Sequence, residues 1–239
     1  MLKSQVYSWA KNNLLSHCLL CGLRVAHLQA GLCRGCLADL PWLHAHCRQC
    51  ALPLPQADAL CGQCLQRPPP FAHATAPLLY RFPVDSLVPA FKYHRQNAYG
   101  RLLAQLMLLH LTHYLAQFPE RRPDLLMAMP MHSARQAQRG YNQAFELARP
   151  LANALQLPLE RKALQRSRAT QPQQGLTARQ RQQNLHDAFC CSQPAQITGR
   201  DIALVDDVMT TGTSAGEATR TLLRAGANSV QIWCAARTP

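Results

Sequence analysis

The sequence predicts an α/β protein: an open, mostly parallel sheet with flanking helices, preceded by a small cysteine-rich module. Two observations lead there. From Ile202 to Cys234, an apolar run, a turn of small hydroxyl residues, a helical pattern and a second apolar run succeed one another as in a β–loop–α–β unit. Between Cys18 and Cys64 stand four Cys-x-x-Cys pairs, separated by eleven, ten and ten residues. A length of 239 residues suits one α/β domain plus such a module. Hydrophobic content of 48% against 15% charged residues excludes a disordered chain. No apolar run reaches the ~18 residues of a membrane span.

Residues 1–16 set Val6, Trp9, Leu14 and Leu15 among Lys3, Lys11 and asparagines, the pattern of a short amphipathic helix that either lies on a membrane surface or, the more common outcome, packs on the neighbouring cysteine module. Lys3 is succeeded by no sustained apolar core or cleavage pattern, so this is not a secretory signal.

The cysteine pairs occupy residues 17–66. Each pair makes a tight knuckle that presents two thiolates to one metal, and two knuckles complete a tetrahedron. Pairing in chain order predicts one zinc on Cys18, Cys21, Cys33 and Cys36 and a second on Cys47, Cys50, Cys61 and Cys64. That is a double zinc ribbon; a cross-braced pairing would keep the count and exchange the partners. A thioredoxin-like redox pair would need a βαβ context that is missing here, and an iron–sulfur site is the other alternative. His17, His44 and His46 lie nearby, but eight cysteines leave no vacancy for them. This use of cysteine points to a reducing cytoplasm. Cys190, Cys191 and Cys234 lack ligand spacing and read as buried small hydrophobes.

Arg67-Pro68-Pro69-Pro70-Phe71 opens a stiff linker, 67–77, and the main domain is expected over 78–239. Leu78–Phe82 reads as a strand. Phe91-Lys92-Tyr93-His94-Arg95 is a basic-aromatic patch ahead of a helix from about Tyr99 to Leu115. Asp124–Met129 is a short apolar strand that stops at Pro130. A loop, Met131-His132-Ser133-Ala134-Arg135, comes after it, then Arg139-Gly140-Tyr141-Asn142-Gln143 and a helix to about Gln156.

The formal charge is +13, and +8 of it lies in residues 121–181, where eleven Lys and Arg face Asp124, Glu146 and Glu160. Such a balance suits a polyanionic partner, either nucleic acid or a pyrophosphate ligand. Within it Arg166, Arg168, Arg179 and Arg181 sit among Gln and Thr, with Pro172 and Gly175 as breakers. This stretch reads either as a solvated loop or as a basic flap that closes over pyrophosphate.

The most specific chemistry stands at Ile202-Ala203-Leu204-Val205-Asp206-Asp207-Val208-Met209-Thr210-Thr211-Gly212-Thr213-Ser214. The apolar run is a buried strand, expected to end at the two acids. Ser214-Ala215-Gly216-Glu217 has capping-box spacing, and Ala215, Ala218, Thr219, Leu222 and Leu223 continue at helical intervals to Gly226. Backbone amides around Gly212, the hydroxyls of Thr210, Thr211, Thr213 and Ser214, and the helix N-terminus can wrap one phosphate monoester. Asp206 and Asp207 repel phosphate but suit a neutral diol, each carboxylate accepting from one hydroxyl. A sugar with a 5′-phosphate and a 2′,3′-diol satisfies both halves.

That arrangement resembles the phosphoribosyl-pyrophosphate (PRPP) signature of type I phosphoribosyltransferases. The whole chain resembles the ComF/GntX family, a double zinc ribbon joined to a phosphoribosyltransferase-like domain. The likeness rests on the cysteine pairs, Cys61-Gly62-Gln63-Cys64-Leu65, Arg139-Gly140-Tyr141-Asn142-Gln143, Arg168-x-Thr170-x-x-Gln173-x-x-Leu176, Arg181-x-x-Asn184 and the acid–threonine loop.

The resemblance implies two structural zinc ions, PRPP bound with Mg²⁺, and Asp206 and Asp207 as the catalytic acids. Pyrophosphate would lie near Met131, His132 and Arg135. It also implies a place in DNA uptake or use, with single-stranded DNA and uptake-machinery proteins as partners. Two functions are compatible with it. A transferase would displace pyrophosphate from the anomeric carbon, yet nucleobase-selecting residues are not evident, Trp233 being the one late aromatic. A non-catalytic adaptor would use the ribbon and the basic surface, with PRPP or a nucleotide as a signal. Tyr93, Tyr99 and Tyr141 would be its nearest base-stacking residues.

Overall fold

A computed structural model describes residues 16–25, 28–57, 59–94, 96–167 and 188–239. The helix expected in the first residues, and Arg168, Arg179 and Arg181 of the expected flap, lie outside the described residues.

The ribbon module holds β1 (Ser16–His17) and β2 (Arg24–Val25), an antiparallel pair, and two single-turn helices, α1 (Arg34–Ala38) and α2 (Gly62–Gln66). Each short helix starts at a knuckle. The Cys33 and Cys61 sulfurs accept from the amides of Cys36 and Cys64, so a cysteine caps each helix at its N-terminus.

The main domain is built on β3 (Ala74–Thr75), β4 (Leu78–Leu79), α3 (Val84–His94), α4 (Asn97–Gln117), β5 (Leu125–Ala128), α5 (Ser133–Arg139), α6 (Gln143–Leu155) and β6 (Leu159–Glu160). It continues through β7 (Leu164–Arg166), β8 (Phe189–Cys191), β9 (Asp201–Met209), α7 (Thr213–Arg224) and β10 (Ser229–Arg237). One sheet runs β3-β10-β9-β5-β6, with β4 also on the β10 edge, and every pairing in it is parallel. The expected open parallel sheet is therefore present. β7 and β8 form a separate antiparallel hairpin.

Two-residue alternation decides which side chain meets which helix. On β9, Ile202 and Leu204 pack with Ala215, Ala218 and Leu222 of α7. Ala203 and Val205 face the other way, onto α4 and α6. All four are fully buried, which is why this strand reads as a continuous apolar run. On β10, Trp233 is likewise fully buried and donates through Nε1 to the Gln231 side chain at 2.9 Å. The late aromatic is thus a core residue and cannot stack on a base.

The ribbon is not a bead on a string. Its first cysteine group packs into the α4–α6 side of the sheet, its second into the α7 side. Leu43 N–H donates to Pro77 C=O at 2.8 Å, Leu79 N–H to Pro41 C=O at 2.8 Å and Ala74 N–H to Gln49 C=O at 2.7 Å. Buried Arg237, at the end of β10, donates from Nε to Cys50 C=O at 3.0 Å.

Several local expectations change. In 67–77, expected to be a linker, Phe71 is 2% exposed and Ala74–Thr75 pair with β10, so the second half is sheet edge. The patch Phe91–His94 stands ahead of α4 as expected, and is itself the last turn of a further helix, α3. Two prolines, Pro83 and Pro89, hid that helix from a local reading. Pro89 costs about 3 kcal/mol inside a helix. Burial of Val84, Leu87, Val88 and Phe91, spaced i, i+3, i+4, i+7, gives about 1.5–3 kcal/mol each and outweighs it.

β9 does not stop at the acids but runs on to Met209. The expected capping box is absent as well: Gly212, at φ 74°, is the N-cap of α7 with no side-chain cap bond, and Glu217 pairs with Arg220. Cys190 and Cys191 are half-buried, whereas Cys234 is buried as expected.

Candidate functional site

β5 and β9 are neighbours whose chains leave in opposite directions. After β5 the chain goes to β6 on one side, and after β9 to β10 on the other. Such a divergence leaves a crevice beyond the C-terminal ends of the two strands, where open α/β sheets take ligands. Both loops singled out in the sequence lie there, one after each strand.

On the β9 side a cavity of about 370 Å³ is lined by Asp206, Thr210, Thr211, Gly212, Thr213, Ser214 and Ala215, together with Tyr80 and Lys92. Gly212 is left-handed, which turns the chain sharply from strand into helix and points the α7 N-terminus into the cavity. The Thr211 and Thr213 hydroxyls are 2.7 Å apart, and Thr213 N–H donates to Thr211 Oγ1 at 3.4 Å. Hydroxyls, a helix N-terminus and an ammonium group around one cavity can hold a phosphate monoester.

The two acids diverge. Asp206 lines the cavity, and its Oδ1 accepts the Asp207 amide at 2.8 Å. Asp207, 6% exposed, turns to the α3 side, where Oδ2 meets Lys92 Nζ at 2.7 Å and Oδ1 accepts Val208 N–H at 2.8 Å. Burial, then the neighbouring Asp207 charge, pushes Asp206 up to about 7, against the pull of Lys92. Burial works against the Lys92 charge, and Asp207 more than offsets it, so the ammonium is held firmly protonated.

On the β5 side, Met131 and Ser133 line a second cavity, about 450 Å³, with Tyr141, Asn142, Arg161 and Arg166. His132 is the N-cap of α5, its Nδ1 accepting from Ala134 N–H at 3.3 Å. Arg135 is exposed on α5. Arg166 is lowered by burial and by Arg135, which opposes the favourable Asp206 charge, and its guanidinium lies 5.6 Å from the Phe189 ring. Asn142 caps α6 through Ala144 N–H at 3.0 Å and donates to Met129 C=O at 3.1 Å. Tyr141 donates its hydroxyl to Phe91 C=O, one residue before Lys92.

Lys92 and Tyr80 were not picked out by sequence reasoning as site residues. The one local signal was a lysine inside an apolar-aromatic run, Phe91-Lys92-Tyr93, which reads equally as a surface patch.

The cysteines fall into two groups, Cys18/Cys21/Cys33/Cys36 and Cys47/Cys50/Cys61/Cys64, with the sulfurs of each within 4.8 Å of one another. The pairing in chain order holds, and none of the three nearby histidines belongs to either group. Burial raises Cys18 and Cys47, but neighbouring amides outweigh it and bring them down to about 6 and about 7. Four sulfurs so placed, with amides turned towards them, fit a tetrahedral zinc ion in each group.

Residues 14–65 match the family described as double zinc ribbon domain, and residues 141–239 match phosphoribosyl transferase domain. The chain is 36% identical over 221 residues to the DNA utilization protein YhgH of Escherichia coli, spanning 92% of this chain and 90% of that one. YhgH of Salmonella typhimurium is also 36% identical, over 92% of this chain and 96% of its own length. Competence protein F of Haemophilus influenzae is 34% identical over 159 residues, 66% of this chain and 69% of that protein.

Proposed function

This chain belongs to the ComF/GntX family, with the DNA utilization protein YhgH and competence protein F, and on that footing we propose that it binds PRPP at the β9 loop in the service of DNA use. The observation that carries the reading is the cavity in which Asp206, Thr210–Ser214 and the α7 N-terminus converge. Its threonine end takes the 5-phosphate. Asp206 takes ribose hydroxyls, and Asp207 holds Lys92 beside them. The second cavity, where Arg161 and Arg166 stand against Glu146 and Glu160, lies where pyrophosphate would leave, and its two guanidinium groups are the ones that could receive it. His132 serves that loop by capping α5, and Arg135 adds positive charge at its rim.

Mg²⁺ enters this reading with the diphosphate, where it would neutralise the leaving group. The two zinc ions hold the ribbon, whose packing against both faces of the sheet makes it part of the same folding unit. We carry the relatives' names to this chain as a role in handling DNA or nucleotides derived from it, with single-stranded DNA and uptake-machinery proteins as partners and the cytoplasm as its location. Among the described residues no helix is long and apolar enough to cross a membrane.

Calorimetry with ribose 5-phosphate and with PRPP tests the core of this. Ribose 5-phosphate fills the phosphate and diol pockets alone and should compete with PRPP. Pyrophosphate release with a panel of bases and amines, with and without single-stranded DNA, then separates a transferase from an adaptor. If neither sugar phosphate binds, the β9 loop is only a turn.

A further inference from the structure

Two neighbouring carboxylates near the C-terminal end of a strand attract divalent cations, and nothing in the acid pair alone says that it should hold a sugar instead. We propose that Lys92 decides this: it is a built-in counter-cation that keeps divalent metal off Asp206–Asp207 and reserves Asp206 for hydroxyl groups. The inference rests on reading this cavity as a sugar-phosphate site, and it adds the residue that determines its specificity.

Geometry supports it first. Both oxygens of Asp207 are engaged, Oδ2 by Lys92 at 2.7 Å and Oδ1 by Val208 N–H at 2.8 Å. One oxygen of Asp206 accepts the Asp207 amide at 2.8 Å. A metal drawn to the acids would have to displace an ammonium already bound to Asp207, and that ammonium also makes the Asp206 carboxylate less attractive to a cation. A neutral diol meets no such obstacle, because it donates to the remaining Asp206 oxygen without bringing charge.

The placement of Lys92 is built, not incidental. Its helix turn is clamped from the loop after β5, on the other side of the crevice. Tyr141 donates to Phe91 C=O, the Tyr141 and Phe91 rings lie 5.7 Å apart, and Arg139 sits 5.0 Å over the Tyr93 ring. Below, Phe91 fills the gap left by Gly100, where an added Cβ would run into its ring. Three successive residues, Phe91, Lys92 and Tyr93, are therefore positioned by Arg139, Tyr141, Gly100 and Asp207. This gives Arg139-Gly140-Tyr141 a purpose that phosphate binding did not: it holds the lysine over the acid pair.

The test uses Mn²⁺ as probe, without sugar phosphate, on the zinc-loaded full chain. Hard Mn²⁺ does not compete for thiolate sites, so the ribbon stays intact. Wild type should show no Mn²⁺ at the pair by electron paramagnetic resonance. Lys92→Met should gain one Mn²⁺ per chain, bound at least about tenfold tighter, and Lys92→Met/Asp207→Asn should lose it again. Lys92→Arg should behave as wild type.

A second readout is the pH dependence of ribose 5-phosphate binding. The charged or titratable groups around Asp206 are Asp207, Lys92, Arg166 and Cys234. Losing the Lys92 charge should move the acid limb of binding upward by about one pH unit.

Mn²⁺ binding to wild type that disappears in Asp207→Asn overturns the proposal, and so does a folded Lys92→Met that gains no metal. If the Met variant fails to fold, Lys92→Gln takes its place, and the wild-type titration alone still decides against the idea if metal binds. Failure of wild type to bind ribose 5-phosphate would sink the sugar-phosphate reading while the metal titration reports on Lys92 separately.

Discussion

Replacing Asp206 by Asn should stabilise the protein above neutral pH while abolishing its sugar-phosphate binding. Burial and the adjacent Asp207 charge raise Asp206 from 3.8 to about 7. A carboxyl whose folded value lies above its unfolded one takes up a proton on folding between those two pH values. Stability therefore falls as the pH climbs from about 4 to about 7, and above that the folded chain carries the full cost of an ionised Asp206. At about 1.4 kcal/mol per unit, a rise of this size is worth about 4 kcal/mol at most. That figure already contains the opposing pull of Lys92 and the Asp207 amide; relaxation and water entry around the ionised group bring the gain for Asp206→Asn down to about 2 kcal/mol. For a chain of this length that is a rise in Tm of roughly 4–8 °C at pH 8. The Asn carbonyl keeps the acceptor for Asp207 N–H, so no new unpaired group offsets the gain. Thermal unfolding of both proteins from pH 4 to pH 8 measures it, the gap closing at the acid end. A gap independent of pH, or a variant less stable than wild type at pH 8, would refute the reasoning.

The same geometry sets other outcomes. Thr211→Val removes a hydroxyl from the phosphate cavity and its contact with Thr213; ribose 5-phosphate affinity should drop about tenfold, with Tm lowered by no more than a few degrees. Cys33→Ser and Cys61→Ser should each cost one of two zinc ions by native mass spectrometry, and one metal per wild-type chain would contradict the two-site assignment. Gly100→Ala forces Phe91 aside and should cost roughly 1–3 kcal/mol in denaturant unfolding. Replacing Arg166, Arg168, Arg179 and Arg181 together by Ala should flatten the salt dependence of single-stranded DNA binding; an unchanged slope would move DNA contact to another surface.

Stability and binding thus pull against each other at Asp206. An ionised carboxylate is needed to accept hydroxyls, and the fold buries it beside another acid. Lys92 relieves part of that conflict. Its own position depends on Tyr141 and Gly100, neither of which lines the β9 cavity. Substitution at Gly100, which lines neither cavity, should therefore change ligand affinity without touching ligand.

Local chemistry was legible in the sequence because spacing along the chain sets it. Two cysteines with two residues between them make a knuckle wherever they stand, and an apolar run with flanking turn residues is a buried strand. An acid pair before threonines and glycine marks a strand-end loop. From these came the parallel sheet, the double ribbon, the thiolate pairing in chain order and the two loops beyond β5 and β9. What no spacing could show depends on residues distant in the chain. Helix α3, with Pro89 inside it, forms because Val84, Leu87, Val88 and Phe91 find a core to fill. The acids looked like an equivalent pair, but β9 continues through them and its alternation sends Asp206 to the cavity and Asp207 to Lys92. That ion pair joins residues far apart in the chain, held in register by Tyr141 from a third segment. Local propensity acts over a few residues, whereas the sign and occupancy of a charged site depend on which helix the sheet brings against it.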